Sequence, residues 1–539
     1  MTTQLACATA ALAAATAIFG QQPGIDRIRI TDLQADLTFL ASDALEGRRS
    51  LDRGSEVAIQ FLAAEFAKAG LKPLVGDSYL QPVPLVEYRV DPNESGLTIE
   101  RGSSRHVEKH GVDFFGGSPF EASAAGPVAF AGYGITAPEF GYDDYANLDA
   151  RGKIVLVFEH EPQENDPNSI FNGLGNTRYA NDLVKMSIAK KHGAIGILFV
   201  AEPNRKHPSG QERVARVPGS TLRARRLAPQ ALADHEDRLP AFSVSDAVAV
   251  ELLAASGKKP GELQAAIDQT LKPVSQVLPD TRAEMRVVLS EQRRGISYNV
   301  IGMVEGSDPA LRNETIVFTA HYDHDGAFDG SIRHGADDNG SGTVGVTELA
   351  RAFAASPEKP KRSLLFAIFA AEERGLLGSY YYAAHPLRPL DTTRAVINFD
   401  MIGRNETPSR QTEGLIDIAP DTSNELNLIG TINSPAYRAA VEHENEYVGL
   451  KLNYKWDRDA ALNIFQRSDQ FPFSLHDIPA VWWFTGFHPD YHQPTDTVEK
   501  INFIKMQKIL RLAYLTGWEF ANASATPKFI ERPMGGGAR

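Results

Sequence analysis

Histidine and carboxylate side chains follow three short apolar runs in the second half of the chain. These polar clusters are His321-Tyr322-Asp323, Glu372-Glu373 and Asp400. Short apolar runs bounded by turn residues are typical of buried strands in a parallel sheet, and ligands bind at the carboxyl ends of such strands. We therefore expect the three clusters to meet at one edge of a sheet.

Two further polar clusters belong to the same set. Asp338 lies in the glycine-rich segment 335–342, directly before a predicted helix over 343–354, and Tyr491-His492 lies far downstream. Imidazole and carboxylate groups are zinc ligands, and five converging ligands suit two ions better than one. The candidate ligands are His321, Asp338, one glutamate of the 372–373 pair, Asp400 and His492.

The paired glutamates predict a division of labour, in which one binds metal and the other acts as general base. Each cluster alone is weak evidence. Two adjacent glutamates are more often the charged first turn of a helix, and segment 335–342 has the composition of an ordinary turn with an N-cap. The occurrence of all the clusters together at strand ends is what favours a metal centre. The other histidines of this region are expected at the surface or in loops: His324, His334, His476 and His488.

The elements around these clusters fall into distinct parts. Helical spacing from Ile59 to Phe66 predicts an N-terminal helix, with a solvated turn at 46–49 before it. From about 126 to 245, short strands alternate with loops rich in Pro, Asn and Gly, and we find there no paired histidine and carboxylate at ligand spacing. We interpret this part as a non-catalytic insert of domain size. An amphipathic helix over 504–520 is predicted after the catalytic strands.

Composition and charge limit the classes of function. The chain has 539 residues and a net charge of −13, and the absence of a basic run argues against nucleic acid as a partner. A short apolar run from Ala8 to Phe19 predicts a cleaved secretory signal, and hence a secreted or periplasmic protein. Cys7 precedes this run and is the only cysteine, so no disulfide or catalytic thiol is expected. No later run reaches 18 apolar residues, so no integral membrane segment is expected.

In sequence and order, the clusters resemble the motifs of the di-zinc exopeptidases, a family that includes aminopeptidases and glutamate carboxypeptidase. The resemblance covers the region from Asn299 to about Phe503. The matching segments are Thr319 to Asp323, Gly335 to Gly342, Ala371 to Ser379, Asn398 to Gly403 and Asp490 to His492. Three glycine-containing segments of the insert are similar to the protease-associated domain often found in these enzymes. They are Gly132 to Ile135, Gly152 to Val155 and Gly193 to Gly196.

The resemblance implies two Zn2+ ions per chain. The ligands of one ion would be His321, Asp338 and Asp400. The ligands of the other would be Asp338, Glu373 and His492, with Asp338 bridging the two ions. A cis peptide bond between Asp338 and Asn339 is implied as well.

The resemblance also assigns the catalytic roles. Glu372 would be the general base, Asp323 would orient His321, and Tyr491 would donate to the oxyanion. The chain departs from the family pattern at Gln470, where a histidine is frequent. Because that position binds no zinc in the family, the departure bears on substrate contacts rather than on the metal site.

The implied fold is α/β, with a mixed central sheet flanked by helices and an inserted β-rich protease-associated domain. The expected order of parts is a signal peptide at 1–20, a helical lead-in at 21–90, the insert at 91–275, the peptidase domain at 276–525 and a disordered tail at 526–539. We call residues 91–275 the insert throughout.

The implied activity is that of a secreted zinc exopeptidase, in the first place an aminopeptidase that hydrolyses N-terminal residues of peptides through a metal-bridging hydroxide. A carboxypeptidase or dipeptidase on the same site stays open, with Arg404 or Arg467 binding the substrate α-carboxylate. Glutaminyl cyclisation with one zinc is disfavoured by the retained His321. A receptor-like homologue without metals is disfavoured because all five ligand positions are filled. The sequence leaves open the side-chain preference, the native metal and the oligomeric state.

Overall fold

The computed structural model describes residues 24–530, except 174, 218, 235–237 and 460. The predicted signal peptide at 1–20 and the part of the predicted tail at 531–539 lie outside the described residues. Among the helices of the described part, none is both long and apolar enough to cross a membrane.

The larger sheet is mixed and has ten strands within the described residues. In spatial order they are Gln230–Leu232, Leu80–Val90, Leu289–Val304, Ser363–Phe369, Thr315–His321, Thr393–Phe399, Ala480–Phe484, Glu425–Ile429 and Lys451–Asn453, with Lys72–Pro73 paired to Leu289–Val304. The four strands from Ser363–Phe369 to Ala480–Phe484 run parallel. Their residues are almost all buried, as the apolar runs of the sequence predict.

Helices cover both faces of this sheet. They are Ile30–Leu40, Arg53–Ala69, Gly342–Ala354, Leu377–Ala384, Pro435–Val448, Gln470–Ser474 and Phe503–Asn522. On one face, side chains of Gly342–Ala354 and Phe503–Asn522 share a core with the strands. On the other face, Tyr382 and Phe473 pack against the strands. The predicted α/β class, with a mixed central sheet flanked by helices, is confirmed.

The smaller sheet has eight strands within the described residues and its own apolar core. In spatial order they are Ser104–Glu108, Gly96–Arg101, Gln276–Val287, Ala122–Phe130, Ile154–Phe158, Gly196–Val200, Ala241–Val244 and Phe114–Gly117. Its helices are Asp182–Lys191, Gly210–Arg216, Ser220–Arg226, Asp246–Leu253 and Pro260–Thr270. Two short hairpins form separate two-stranded sheets. One pairs Thr136–Ala137 with Tyr142–Asp143 in the insert, and the other pairs Gly326–Phe328 with Ser331–Arg333 in the segment between His321 and Asp338.

The chain passes between the two sheets at positions that differ from the expected domain limits. Gln276–Val287 pairs inside the smaller sheet, although residues 276–287 were assigned to the peptidase domain, and the next strand, Leu289–Val304, belongs to the larger sheet. Gln230–Leu232 lies in the insert but pairs with Leu80–Val90 of the larger sheet. The limits of the domains stay a prediction, while sheet pairing ties the insert to the catalytic part at this edge.

Candidate metal centre

The predicted ligands meet where parallel strands of the larger sheet end. His321 is the last residue of Thr315–His321, and Asp400 directly follows Thr393–Phe399. Glu372 and Glu373 form a 3-10 turn shortly after Ser363–Phe369. Because these strands are parallel neighbours, their carboxyl ends bring the side chains together.

The remaining two ligands come from connecting segments. Asp338 lies in the segment Ala336–Ser341, whose backbone is not helical at Asp338 and Asn339 and which leads directly into the helix Gly342–Ala354. Asp496 accepts hydrogen bonds from the backbone N–H of Asp337 and Asp338 at 3.0 and 3.1 Å, and so holds this segment in place. His492 lies in the loop after Ala480–Phe484. The peptide bond between Asp338 and Asn339 is cis, which confirms the expectation from the resemblance.

The first group of ligands surrounds His321. Its Nε2 lies 3.7 Å from Asp338 Oδ1 and 3.5 Å from Asp400 Oδ1. Its Nδ1 lies 3.2 Å from the backbone carbonyl of Asp323, to which it can donate. The hydrogen on Nδ1 leaves a lone pair on Nε2, and this buried atom has no hydrogen-bond partner. An imidazole held in this tautomer is ready to bind a cation.

The second group surrounds His492. Its Nε2 lies 3.4 Å from Asp338 Oδ2 and 3.5 Å from Glu373 Oε2. Its Nδ1 lies 2.7 Å from Asp325 Oδ2, a carboxylate that accepts its hydrogen and orients the ring. Asp338 therefore turns one oxygen to each group, and it lies between them as a bridging ligand would.

These distances and charges fit bound cations. Ligand atoms of a tetrahedral zinc ion lie about 3.3–3.6 Å apart, since the bonds to zinc are about 2.0–2.2 Å long. Burial raises the pKa of Asp338 well above its usual range, and the negative charges of Glu373 and Asp400 raise it further. A divalent cation removes this repulsion. The donor set, made of imidazole and carboxylate with no thiol, is one that zinc accepts.

Glu372 lies beside the first group without belonging to the ligand sets above. One of its carboxylate oxygens is 3.6 Å from His321 Nε2. Burial raises the pKa of Glu372 well above its usual range, and the carboxylates of Asp400 and Asp469 raise it further. A carboxylate with a raised pKa holds a proton more readily than an ordinary glutamate, as a general base must.

Asp323 contacts the site in a different way from the one expected. Its carboxylate accepts a hydrogen bond from the backbone N–H of Glu372 at 3.0 Å, whereas Oδ1 is 3.9 Å from His321 Nδ1. The backbone carbonyl of Asp323, rather than its carboxylate, contacts the ring because the chain turns directly after the strand. Asp323 therefore orients His321 through its main chain and Glu372 through its side chain.

The two groups open onto a cleft of about 240 Å³. Its lining residues include Glu372, Tyr491, Arg467, Trp482 and Phe487. The hydroxyl of Tyr491 accepts from Arg467 Nη2 at 3.2 Å, and burial raises the pKa of Tyr491 well above its usual range. This hydroxyl therefore stays protonated and can donate into the cleft.

Side chains around the cleft fix the strand ends. Ser468 Oγ donates to Asp400 Oδ2 at 2.6 Å, and Trp482 Nε1 donates to the Asp400 carbonyl at 2.8 Å. Gln470 is buried and bonds to Asn398 and to a backbone carbonyl. The departure from the family pattern at Gln470 thus lies behind the ligands and supplies none.

Two of the remaining histidines, His324 and His488, lie in loops as expected but are buried rather than at the surface. His324 is fully buried, and its Nδ1 lies 2.7 Å from Glu373 Oε1. His488 is buried with Nε2 3.2 Å from Asp337 Oδ2. His324 follows the His321-Tyr322-Asp323 motif directly, so its closeness to the site could have been noticed, but no spacing rule predicts its contact with Glu373.

The solvated turn expected at 46–49 is wrong for Arg48. Its side chain is 1% exposed and donates to four backbone carbonyls, of Leu40, Tyr322, His334 and Gly335. Arg48 therefore ties the loop after His321 to the segment before Asp338. Burial lowers the pKa of Arg48 to about 10, so the guanidinium is still charged at neutral pH.

The insert reaches the metal centre through an arginine. Arg223, from the helix Ser220–Arg226, donates to Asp325 at 2.6 Å and to Glu373 Oε2 at 2.9 Å. Arg374 also contacts Asp325, at 3.0 Å. A guanidinium from the insert thus balances the charge on one predicted ligand and on the carboxylate that orients another.

The structure places a histidine and carboxylate centre at the edge of an α/β sheet, beside a cleft. Residues 299–516 match the family model described as "Peptidase family M28". The match covers the region that carries the predicted ligands, and it confirms the resemblance drawn from the motifs.

Individual proteins show the same likeness. The chain is 28% identical over 256 residues to aminopeptidase YwaD of Bacillus subtilis, covering 44% of this chain and 48% of the relative. It is 24% identical over 316 residues to a "Probable zinc metalloprotease" of Leptosphaeria maculans, covering 53% and 68%. The chain thus spans about half the length of the first relative. An aminopeptidase from Aneurinibacillus sp. strain AM-1 superposes with a TM-score of 0.48 at 18% identity, covering 95% of this chain and 98% of the other.

Proposed function

We propose that the chain is a zinc-dependent exopeptidase that removes N-terminal residues from peptides. The observation that carries this proposal is the position of Asp338, whose two carboxylate oxygens face two separate groups of ligands beside an open cleft. His321, Asp338 and Asp400 would hold one zinc ion, and Asp338, Glu373 and His492 would hold the other. When bound, the ions would supply Lewis acidity and make a water molecule in the cleft more acidic.

The side chains around the ligands move the protons. Glu372 accepts the proton of the attacking water and delivers it to the leaving amine, because its carboxylate is held beside the ligands by the contact of its backbone with Asp323. Tyr491 donates to the oxygen of the scissile carbonyl, where negative charge develops. The carboxylate-rich wall of the cleft suits a protonated substrate α-amine, and this favours an aminopeptidase.

A carboxypeptidase or dipeptidase activity is the second candidate, because the guanidinium of Arg467 lines the cleft and can attract an α-carboxylate. Arg223 lines the cleft too, but it is paired with two carboxylates of the protein. Arg404, the other candidate from the sequence, instead pairs with Asp490 at 2.9 Å and lies 3.7 Å from Asp496. Arg404 is thus held by carboxylates of the protein.

We also propose that the protein is secreted or periplasmic, and that the insert is a protease-associated domain that covers the cleft. The apolar run from Ala8 to Phe19 supports the first statement. The contact of Arg223 with Glu373 supports the second.

A panel of matched substrates tests the activity. Aminoacyl nitroanilides with a free amine, the same compounds acetylated on that amine, and peptides blocked only at the amine are assayed with and without a chelator. An aminopeptidase cleaves only the first kind, and the chelator abolishes the cleavage. Cleavage of the amine-blocked peptides from their C-terminal end would establish the second candidate, and chelator-resistant cleavage would contradict a zinc enzyme.

A further inference from the structure

A second cluster of metal-type ligands lies in the insert, away from the catalytic cleft. It consists of His160, Glu164, Glu202 and His207, whose ligand atoms all lie within 4.8 Å of one another. We call it the insert cluster. No histidine and carboxylate at ligand spacing was expected here from the sequence, and the structure shows that this expectation is wrong.

The insert cluster forms at strand ends, like the catalytic centre. His160 and Glu164 follow the strand Ile154–Phe158, and Glu202 and His207 follow the strand Gly196–Val200. These two strands are parallel neighbours, with Val200 opposite Phe158. Their carboxyl ends therefore bring the four side chains together at one edge of the smaller sheet.

The atoms that face one another in this cluster are mostly acceptors. His207 Nδ1 lies 2.8 Å from the Pro208 carbonyl, to which it can donate, so that the lone pair is on Nε2. This Nε2 lies 2.8 Å from Glu164 Oε1 and 3.0 Å from His160 Nδ1. The same His160 Nδ1 is 3.1 Å from Glu164 Oε2 and 3.2 Å from Glu202 Oε1. His160 Nδ1 carries at most one hydrogen, and this hydrogen cannot bond to His207 Nε2, Glu164 Oε2 and Glu202 Oε1 at the same time. A cation between these atoms can contact all of them.

Glu202 gives an independent indication of a bound cation. Its side chain is 1% exposed, and neither carboxylate oxygen has a hydrogen-bond partner. A buried carboxylate without donors is costly, and the protein places a second one, Glu164, next to it. Two carboxylates and two neutral imidazoles carry a charge of −2, which one divalent ion neutralises.

Two cationic side chains near the insert cluster, Lys185 and Arg205, donate their hydrogen bonds to other groups. Lys185 donates to the backbone carbonyls of Tyr133, Phe158 and His160. Arg205 donates to the backbone carbonyl of Glu202 and lies 3.7 Å from Glu212. These contacts go to main-chain oxygens or to a carboxylate outside the cluster. Lys185 attracts Glu202 only at longer range, and neither cation donates a hydrogen bond to the four ligand side chains in these contacts.

We propose that His160, Glu164, Glu202 and His207 together bind one divalent transition-metal ion, zinc by the chemistry of the ligands, in a structural role. Two imidazoles and two carboxylates complete a four-coordinate zinc site, and a site with four protein ligands leaves no open position for water. The ligand atoms are 2.8–3.2 Å apart in the contacts above. This is a few tenths of an ångström less than the ~3.3–3.6 Å around a tetrahedral zinc ion, so the side chains need to move apart only slightly to hold one.

The ion joins the insert to the catalytic centre through the chain that follows His207. After His207 come the helices Gly210–Arg216 and Ser220–Arg226, and the second carries Arg223 to Glu373. Fixing His207 to the strand ends therefore anchors the start of the segment that carries Arg223.

Zinc content of the whole purified protein tests the proposal. After loading with zinc and removal of loose ions, the unaltered protein is compared with the double variant His160→Gln/His207→Gln. His110→Gln serves as the matched control, because His110 also lies in the insert but its ring contacts the backbone carbonyl of Gly116 and belongs to none of the ligand groups found among the described residues. We expect the double variant to contain one zinc per chain fewer than the unaltered protein, and His110→Gln to contain the full number. Equal zinc content in the folded double variant and the unaltered protein would overturn the proposal.

If the double variant does not fold, a second variant tests whether the insert cluster binds zinc. Glu202→Gln keeps the size of the side chain and removes the buried charge. With a bound ion, we expect zinc affinity at this site to fall by at least the ~10–100-fold that loss of a supporting contact costs, with no loss of stability of the zinc-free protein. If Glu202→Gln leaves zinc binding unchanged, the cluster is a network of hydrogen bonds and ion pairs, and the proposal fails.

Discussion

The two ligand clusters are built by the same rule but differ in what surrounds them. Both place histidines and carboxylates at the carboxyl ends of neighbouring parallel strands. The ligand side chains of both clusters are no more than 7% exposed. The catalytic group lines a cleft that also has Glu372 and Tyr491 in its wall, whereas the insert cluster offers four protein ligands to one proposed ion. The ligands decide which ion is bound, and access decides whether water and substrate can reach it.

Removing Asp338, the ligand shared by both catalytic ions, should have the largest effect. It should also distinguish the catalytic centre from the insert cluster. Asp338→Ala takes away a ligand of both catalytic ions and also relieves the repulsion among buried carboxylates, so the fold should persist. We expect activity to fall to the level seen after chelation, while one zinc per chain remains in the insert cluster. Zinc content and peptide hydrolysis measure the two effects, with the exposed Asp391→Ala as control. If Asp338→Ala retained activity, Asp338 would not be the bridging ligand.

Glu372→Gln should remove the base and leave the metals. Its amide cannot take a proton from water, so the rate should fall by ~10²–10⁴, the usual worth of a positioned general base. Zinc content should stay that of the unaltered protein. Glu373→Ala is the matched comparison, because it should lose bound zinc from the catalytic centre. If Glu372→Gln lost zinc and Glu373→Ala kept it, Glu372 would be the ligand and Glu373 the base.

Arg223→Gln should have a smaller effect and tests the link between the two regions. Loss of the charge beside Glu373 and Asp325 should weaken zinc binding at the Glu373 and His492 side by ~10–100-fold, as loss of an outer contact to a metal ligand does. Activity measured against zinc concentration shows this as a shift in half-activation. The exposed neighbour Arg225→Gln should show none. A raised KM with unchanged zinc dependence would instead mean that Arg223 acts on the substrate.

The sequence predicted the parts of the site that follow from local pattern. His321 and Asp400 each stand directly after an apolar strand, with Glu373 a few residues past another, so the rule that ligands lie at strand ends was enough to place them together. The same rule applied to the insert would have found His160 and Glu202, each of which follows a short apolar run. His160 and Glu202 were missed because the insert was interpreted as non-catalytic.

Other contacts could not be predicted, because their partners are far apart in the chain. Arg223 and Glu373 are 150 residues apart, and Arg48 and Gly335 are 287 apart. An arginine in a polar loop looks solvated from its sequence, and only the fold shows that Arg48 is surrounded by carbonyls. The passage between the sheets at Val288 was missed for a similar reason, since Gln276–Val287 has the pattern of a strand in either sheet.

The central claim is that the catalytic centre holds two zinc ions bridged by Asp338. Anomalous X-ray diffraction at the zinc edge, from crystals of the zinc-loaded protein, tests this directly. We expect two peaks in the cleft about 3.5–4 Å apart, one beside His321 and Asp400 and the other beside Glu373 and His492. A single peak in the cleft at full zinc loading would contradict the claim.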